Sequence, residues 1–185
     1  MCSELLRHKQ IIMVRHPFLR VLSAFHDKMS ERQKSAGYKK IADKIERRYR
    51  TMRTDPDERY TNITGRPTFE DFVNFLIERP DDIGFRDNHW DTFRSKCAPC
   101  RYKYDVIIKM ETLAEDMRYL RYKLGVRRPY DEVFLGEGRN RSHHEVQLYR
   151  EIPMSLVERL HERYRDDFEI FGYSWPDWLD QADTY

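Results

Sequence analysis

Gln10-Ile11-Ile12-Met13-Val14-Arg15-His16-Pro17-Phe18-Leu19-Arg20-Val21-Leu22-Ser23-Ala24-Phe25 joins two apolar patterns across a charged turn. Gln10 to Val14 is a compact apolar run that stops at a charge, which predicts a short buried strand. Pro17 suits the first turn of a helix, where its missing N–H costs nothing. Phe18, Val21, Leu22, Phe25 and Met29 then recur at helical spacing. The stretch therefore reads as strand, turn and helix, with Arg15 and His16 in the turn.

The same pattern returns further along. Tyr104-Asp105-Val106-Ile107-Ile108-Lys109 reads as a second buried strand. Thr112-Leu113-Ala114-Glu115 has the form of a capping box. Leu113, Met117, Leu120 and Leu124 follow at helical spacing, and Gly125 is a natural stop. Two strand-to-helix units imply an α/β fold with a parallel sheet flanked by helices. Ligands of such sheets bind beyond the carboxyl ends of the strands. Arg15 and Lys109-Met110-Glu111 stand at those ends.

Between the two units the chain is helical and polar by turns. Residues 28–53 hold ten Lys or Arg against three Asp or Glu, over an apolar stripe of Tyr38, Ile41, Ile45, Tyr49 and Met52. Asp55-Pro56-Asp57 ends it as a turn. Thr68 is placed to cap a helix carrying Phe69, Phe72, Val73 and Leu76 and stopping before Pro80. Asp81 to Trp90 reads as a loop. Residues 126–150 read as a long polar loop, and a last helix from near Pro153 carries Leu156, Val157, Leu160, Tyr164 and Phe168.

The 185 residues fit a single domain, 1–185. Aromatics at 14% and a net charge of only +2 exclude a disordered polyelectrolyte and name no partner through global charge. No run approaches the ~20 apolar residues of a membrane span, and no apolar segment follows Met1-Cys2-Ser3-Glu4 to make a signal peptide. Cys97-Ala98-Pro99-Cys100 leaves half a zinc site, a redox pair and a structural disulfide open. The adjacent His143 and His144 do not supply the spaced second pair that zinc requires, so no metal is expected. Asn62-Ile63-Thr64 and Asn140-Arg141-Ser142 are glycosylation sequons, which lean towards a secretory compartment.

Arg15, Arg20 and Ser23 can donate to an oxyanion beside a helix N-terminus, a combination suited to phosphate; the plainer reading is an Arg-capped helix with a buried Ser. His89 has the chemistry of a base near neutral pH, and neighbouring Trp90 offers an aromatic surface for a sugar ring; both could instead pack a loop. Glu111 is the rival base or substrate contact, or a helix cap. The basic stretch 28–53 reads as a solvated amphipathic helix whose charged face suits an anionic partner. No reader motif supports nucleic acid.

Arg15-x-Pro17-x-x-Arg20-x-x-Ser23-Ala24 after an apolar strand resembles the 3′-phosphate-binding motif of carbohydrate sulfotransferases, with His16 where the family often has Asp. His89-Trp90, Cys97-x-Pro99-Cys100, Tyr104-Asp105, Glu111-Thr112-Leu113 and Tyr164 to Tyr173 follow in the order of the chondroitin and dermatan 4-O-sulfotransferase branch. The resemblance implies a P-loop-like sulfotransferase fold and transfer of a sulfuryl group from 3′-phosphoadenosine-5′-phosphosulfate. The implied acceptor is a sulfated or acidic glycan such as chondroitin or dermatan, at N-acetylgalactosamine O-4. It also implies the Golgi lumen, a type II membrane anchor, and a disulfide between Cys97 and Cys100. The family's N-terminal strand–loop–helix for the 5′-phosphosulfate is missing: no G-x-x-x-x-G-K-[ST] occurs, and only fourteen residues precede Arg15. The alternative is an inactive fragment or paralogue that binds glycan or nucleotide.

Overall fold

The structure is a computed structural model describing residues 9–30, 33–59, 64–80, 83, 86–125 and 147–180. Two strands, β1 (Ile11–Val14) and β2 (Val106–Lys109), pair in parallel with Val14 opposite Lys109. Each runs into a helix, as the sequence pattern requires. β1 leads to α1 (Pro17–Lys28), and β2 passes through a 3-10 turn (Met110–Thr112) into α6 (Leu113–Leu124). Asp105 fixes the entry to the pair, since its Oδ2 accepts the Gln10 amide at 2.9 Å.

Along β1 the side chains alternate. Ile12 and Val14 are buried with Phe171, while Ile11 and Met13 remain exposed. Ile107 of β2 is exposed too, so apolar side chains remain open to solvent on both strands.

The main core lies among four helices: α1, α2 (Ala36–Tyr49), α4 (Phe69–Glu78) and α7 (Met154–Phe171). α2 buries Ala42, Ile45 and Tyr49, whereas Met52, read as the end of that stripe, is exposed in a 3-10 turn over Arg50–Met52. Asp55-Pro56-Asp57 leads into a short helix, α3 (Pro56–Arg59). α4 is buried at every position from Phe69 to Leu76. Its start is a capping box: Thr68 Oγ1 accepts from the Asp71 amide at 3.2 Å, and Asp71 Oδ2 accepts from the Thr68 amide at 2.9 Å. The same Asp71 receives Nη2 of buried Arg53 at 2.7 Å, which ties α2's end to α4.

Four expectations change. Trp90 is wholly buried, edge-on to Phe72 and Phe75, and its carbonyl accepts from the Tyr164 hydroxyl. It is a core residue and offers no face to a sugar. Thr112 makes no capping bond, because its hydroxyl is spent on Asp116 at 2.9 Å. α5 (Phe93–Cys97), capped by Thr92, stands where the sequence shows no period, being only five residues long. Tyr149, at the end of the stretch read as a polar loop, is fully buried, stacked on Phe18 and donating to its carbonyl at 2.8 Å. The described residues end in α8 (Asp177–Asp180).

Candidate active site

The carboxyl ends of β1 and β2 meet through one side chain. Glu111 Oε1 accepts the His16 amide at 2.8 Å, and its Oε2 accepts the Tyr173 hydroxyl at 2.9 Å. This bracket fixes the turn that carries Arg15. Tyr173 is held as a donor, because burial and then the Glu111 charge push its pKa up. The His16 ring lies edge-on to Phe18, Phe168 and Tyr173, with Nε2 at 3.2 Å from the Ser174 carbonyl. Burial lowers its pKa against the raising effect of that carbonyl and of Glu111. His16 is therefore a packing residue whose neutral form burial favours.

Leu19 and Ser23 are four apart on α1 and fall on one line down its face, while Arg15 stands two residues before the helix, in the turn that follows β1. Arg15 and Ser23 are both partly exposed. Arg20 is one residue off that line, about 100° round the helix. Its Nη2 reaches Asp167 Oδ2 at 3.4 Å, and its guanidinium lies 4.5 Å above the Phe93 ring. Arg20 is thus turned into the α1–α5–α7 joint, although the sequence reading grouped it with Arg15 and Ser23.

The match to the model of the sulfotransferase family covers residues 3–174. The chain belongs to the sulfotransferase family. Carbohydrate sulfotransferase 10 of Rattus norvegicus is 35% identical over 180 residues, which is 92% of this chain and 48% of that protein. Carbohydrate sulfotransferase 11 of Mus musculus is 30% identical over 177 residues, 93% of this chain and 49% of that protein. Carbohydrate sulfotransferase 12 of Xenopus laevis is 29% identical over 178 residues, 94% and 42% respectively. The chain thus spans about half the length of the curated relatives it matches. No solved structure matches.

In this sulfotransferase chain His89 is exposed and gripped from one side. Its Nδ1 lies 2.5 Å from Asp87 Oδ1, whose carboxylate also accepts the His89 amide at 2.8 Å and the Tyr38 hydroxyl at 3.0 Å. A carboxylate only accepts, so Nδ1 carries the proton and Nε2 carries the lone pair. Burial works to raise the Asp87 pKa, but the bonds from His89 and Tyr38 outweigh it and hold the carboxylate below its ordinary value. Burial and that carboxylate in turn push Tyr38 up to about 12. Sequence reading missed Asp87, Tyr38 and Tyr173. Asp87, two residues before His89, was the one legible signal.

The cysteines of the Cys97-x-x-Cys100 pair are both free thiols in this structure. Cys97 packs against the Ile12–Val14 cluster while Cys100 is exposed, so the disulfide implied by the resemblance is not formed here. Among the described residues no group of His, Cys, Asp and Glu could hold a metal ion. No helix among them is long and apolar enough to cross a membrane. Asn62 and Asn140 of the two sequons lie outside the described residues, as do residues 126–146 of the expected polar loop. On the basic stretch, Lys28, Arg47, Arg48 and Arg53 pair with Asp27, Asp43, Glu78 and Asp71, so much of its charge is neutralised locally.

Proposed function

We propose that this chain carries the 3′-phosphate-binding and proton-accepting part of a carbohydrate sulfotransferase with a P-loop-like fold. The reaction is transfer from 3′-phosphoadenosine-5′-phosphosulfate to a sugar hydroxyl, with N-acetylgalactosamine O-4 of chondroitin or dermatan as acceptor and the Golgi lumen as compartment. The observation that carries this reading is the Asp87-held imidazole of His89, a base with its free lone pair on the exposed side.

The donor supplies the sulfuryl group: its sulfur–oxygen bond to the 5′-phosphate breaks as the bond to the sugar oxygen forms. His89 Nε2 takes the proton that the sugar hydroxyl releases, and Asp87 stabilises the imidazolium that results. Arg15 and Ser23 hold the 3′-phosphate, a dianion suited to a guanidinium and a hydroxyl at the mouth of a strand–helix turn. Both Glu111 oxygens are engaged by His16 and Tyr173, so Glu111 is a positioning residue for Arg15 and leaves proton transfer to His89.

The test uses the full-length protein. His89→Ala lowers kcat by roughly 10²–10⁴, the usual worth of a general base, and leaves adenosine 3′,5′-bisphosphate affinity unchanged. Near-normal kcat in that variant, with turnover abolished by Glu111→Gln, would reverse the two roles.

A further inference from the structure

A second polar feature begins two residues beyond His89. Asp91 and Thr92 open a cleft of about 1020 Å³ between the end of α4, α5 and the outer face of α7. Seven of its thirteen lining residues are Lys or Arg and three are Asp or Glu, a surplus of four positive charges. α7 contributes through Arg159, Glu162, Arg163 and Asp166, which lie on one side of the helix beside the buried Leu156, Leu160 and Tyr164.

The cations are of two kinds. Arg163 is nearly buried and anchored on Asp91 at 3.2 Å, and Arg94 is paired with Asp166. These pairs set the walls. Arg79, Arg86 and Arg159 are exposed and have no ion-pair partner among the described residues. Burial, and then the nearby Arg163 charge, lower the pKa of Arg79 against the raising effect of Asp91. Seven cations against three carboxylates around one cleft make it electropositive and favour an anion there.

We propose that this cleft binds an anionic polysaccharide. Three arginines would meet its carboxylates or sulfates, and Ser95, Thr92 and the cleft carboxylates would meet its hydroxyls. The inference rests on the glycan-acceptor reading and gives it a place: the chain would run on from the His89 loop into the cleft. Two observations favour a glycan over a nucleic acid. None of the thirteen lining residues is aromatic, whereas single-stranded nucleic acids are held by stacking on aromatic rings. The wall also carries carboxylates, which accept from sugar hydroxyls and repel a phosphodiester backbone. The cleft is the proposed glycan surface in place of the basic stretch 28–53, because three of its arginines are exposed while Lys28, Arg47, Arg48 and Arg53 of the stretch pair with carboxylates.

The experiment titrates fluorescent chondroitin sulfate oligosaccharide with the full-length protein at rising salt, beside oligothymidylate of equal charge. The variant is Arg79→Ala with Arg86→Ala and Arg159→Ala, all at exposed positions outside the His89 and Arg15 groups. Chondroitin sulfate affinity should fall at least about tenfold, and the salt slope by roughly one for each arginine removed. Adenosine 3′,5′-bisphosphate affinity should stay within about twofold in the variant, since it rests on Arg15 and Ser23. Unchanged chondroitin sulfate affinity in the variant overturns the proposal. So does oligothymidylate that binds as tightly as the glycan and is lost with it. Loss of glycan binding in the variant, with no sulfuryl transfer by any form of the protein, would keep the cleft and remove the transferase reading.

Discussion

Replacing Arg20 by Met separates a ligand from a structural ion. The Arg20 side chain is 12% exposed and that of Asp167 is 0% exposed, with 3.4 Å between them. Breaking a buried pair by removing one partner costs about 3–5 kcal/mol. Two features place this case near the low end. Asp167 keeps the Phe93 and Arg94 amides at 2.9 and 3.0 Å. Burial also pushes its pKa up despite those bonds, so the stranded carboxyl can take a proton and limit the loss. Methionine fills part of the space over Phe93 but gives up a cation–π contact worth ~1 kcal/mol. A net loss of about 3 kcal/mol, with a urea slope near ~2 kcal/mol/M, moves the unfolding midpoint down by roughly 1.5 M. Adenosine 3′,5′-bisphosphate affinity, read by calorimetry under native conditions, should change less than about twofold. An unmoved urea midpoint together with a tenfold weaker nucleotide would refute the reasoning and return Arg20 to the phosphate. Asp167→Asn serves as the partner variant: the two losses should combine to less than their sum, as contacting residues do.

Two further outcomes follow from the site. Arg15→Ala should weaken adenosine 3′,5′-bisphosphate by about tenfold or more in calorimetry, because a charged hydrogen bond is worth ~1.5–3 kcal/mol; equal affinity would remove Arg15 from the phosphate. The grip on His89 should depend on pH in a defined sense. Asp87 has a lowered pKa, so its contribution is present above the ordinary Asp value of about 3.9 and is lost as pH falls through its folded pKa. Tyr38 is raised to about 12, so its bond to Asp87 is complete below the ordinary Tyr value near ~10 and is lost as pH rises through about 12. The His89 ring signal, followed by NMR, should show the acid limb, and Asp87→Asn should abolish it.

How much was legible follows from where each signal resides. β1, α1, β2 and α4 announce themselves through local period, and the structure places them within two residues of the expected bounds. Thr68 works as a cap because nothing else claims its hydroxyl; Thr112 has the same local form and fails because Asp116 claims it and the Lys109 amide together. Trp90 and Tyr149 lie in polar surroundings along the chain, and only helices distant in sequence supply the walls that bury them. The site divides in the same way. The spacing of Arg15 and Ser23 across the strand–helix turn is legible along the chain. The partner that engages Arg20, Asp167, is 147 residues away, and spacing cannot reveal it.

That dependence on distant partners explains why a turn near the start of the chain is shaped by residues near its end. Gly172 closes α7 at φ 61°, a left-handed conformation that other residues adopt at a cost of roughly 1–2 kcal/mol. The reversal sends Tyr173 and Ser174 back onto β1 and α1, where one meets Glu111 and the other His16. Lys109 joins them from β2, with its ammonium 4.5 Å from the Tyr173 ring centre and 3.3 Å from the Gly172 carbonyl. The Arg15 turn is therefore held on three sides by β2, by Glu111 and by the C-terminal strap. A phosphate site gains from such rigidity, because a guanidinium held in place loses little freedom on binding. A base has the opposite need, since it must stay open to a moving proton. His89 stands in an exposed loop, fixed by Asp87 through one ring nitrogen, an arrangement that would suit the proposed base. Glu111 is engaged differently, since both of its oxygens accept bonds that hold the turn together.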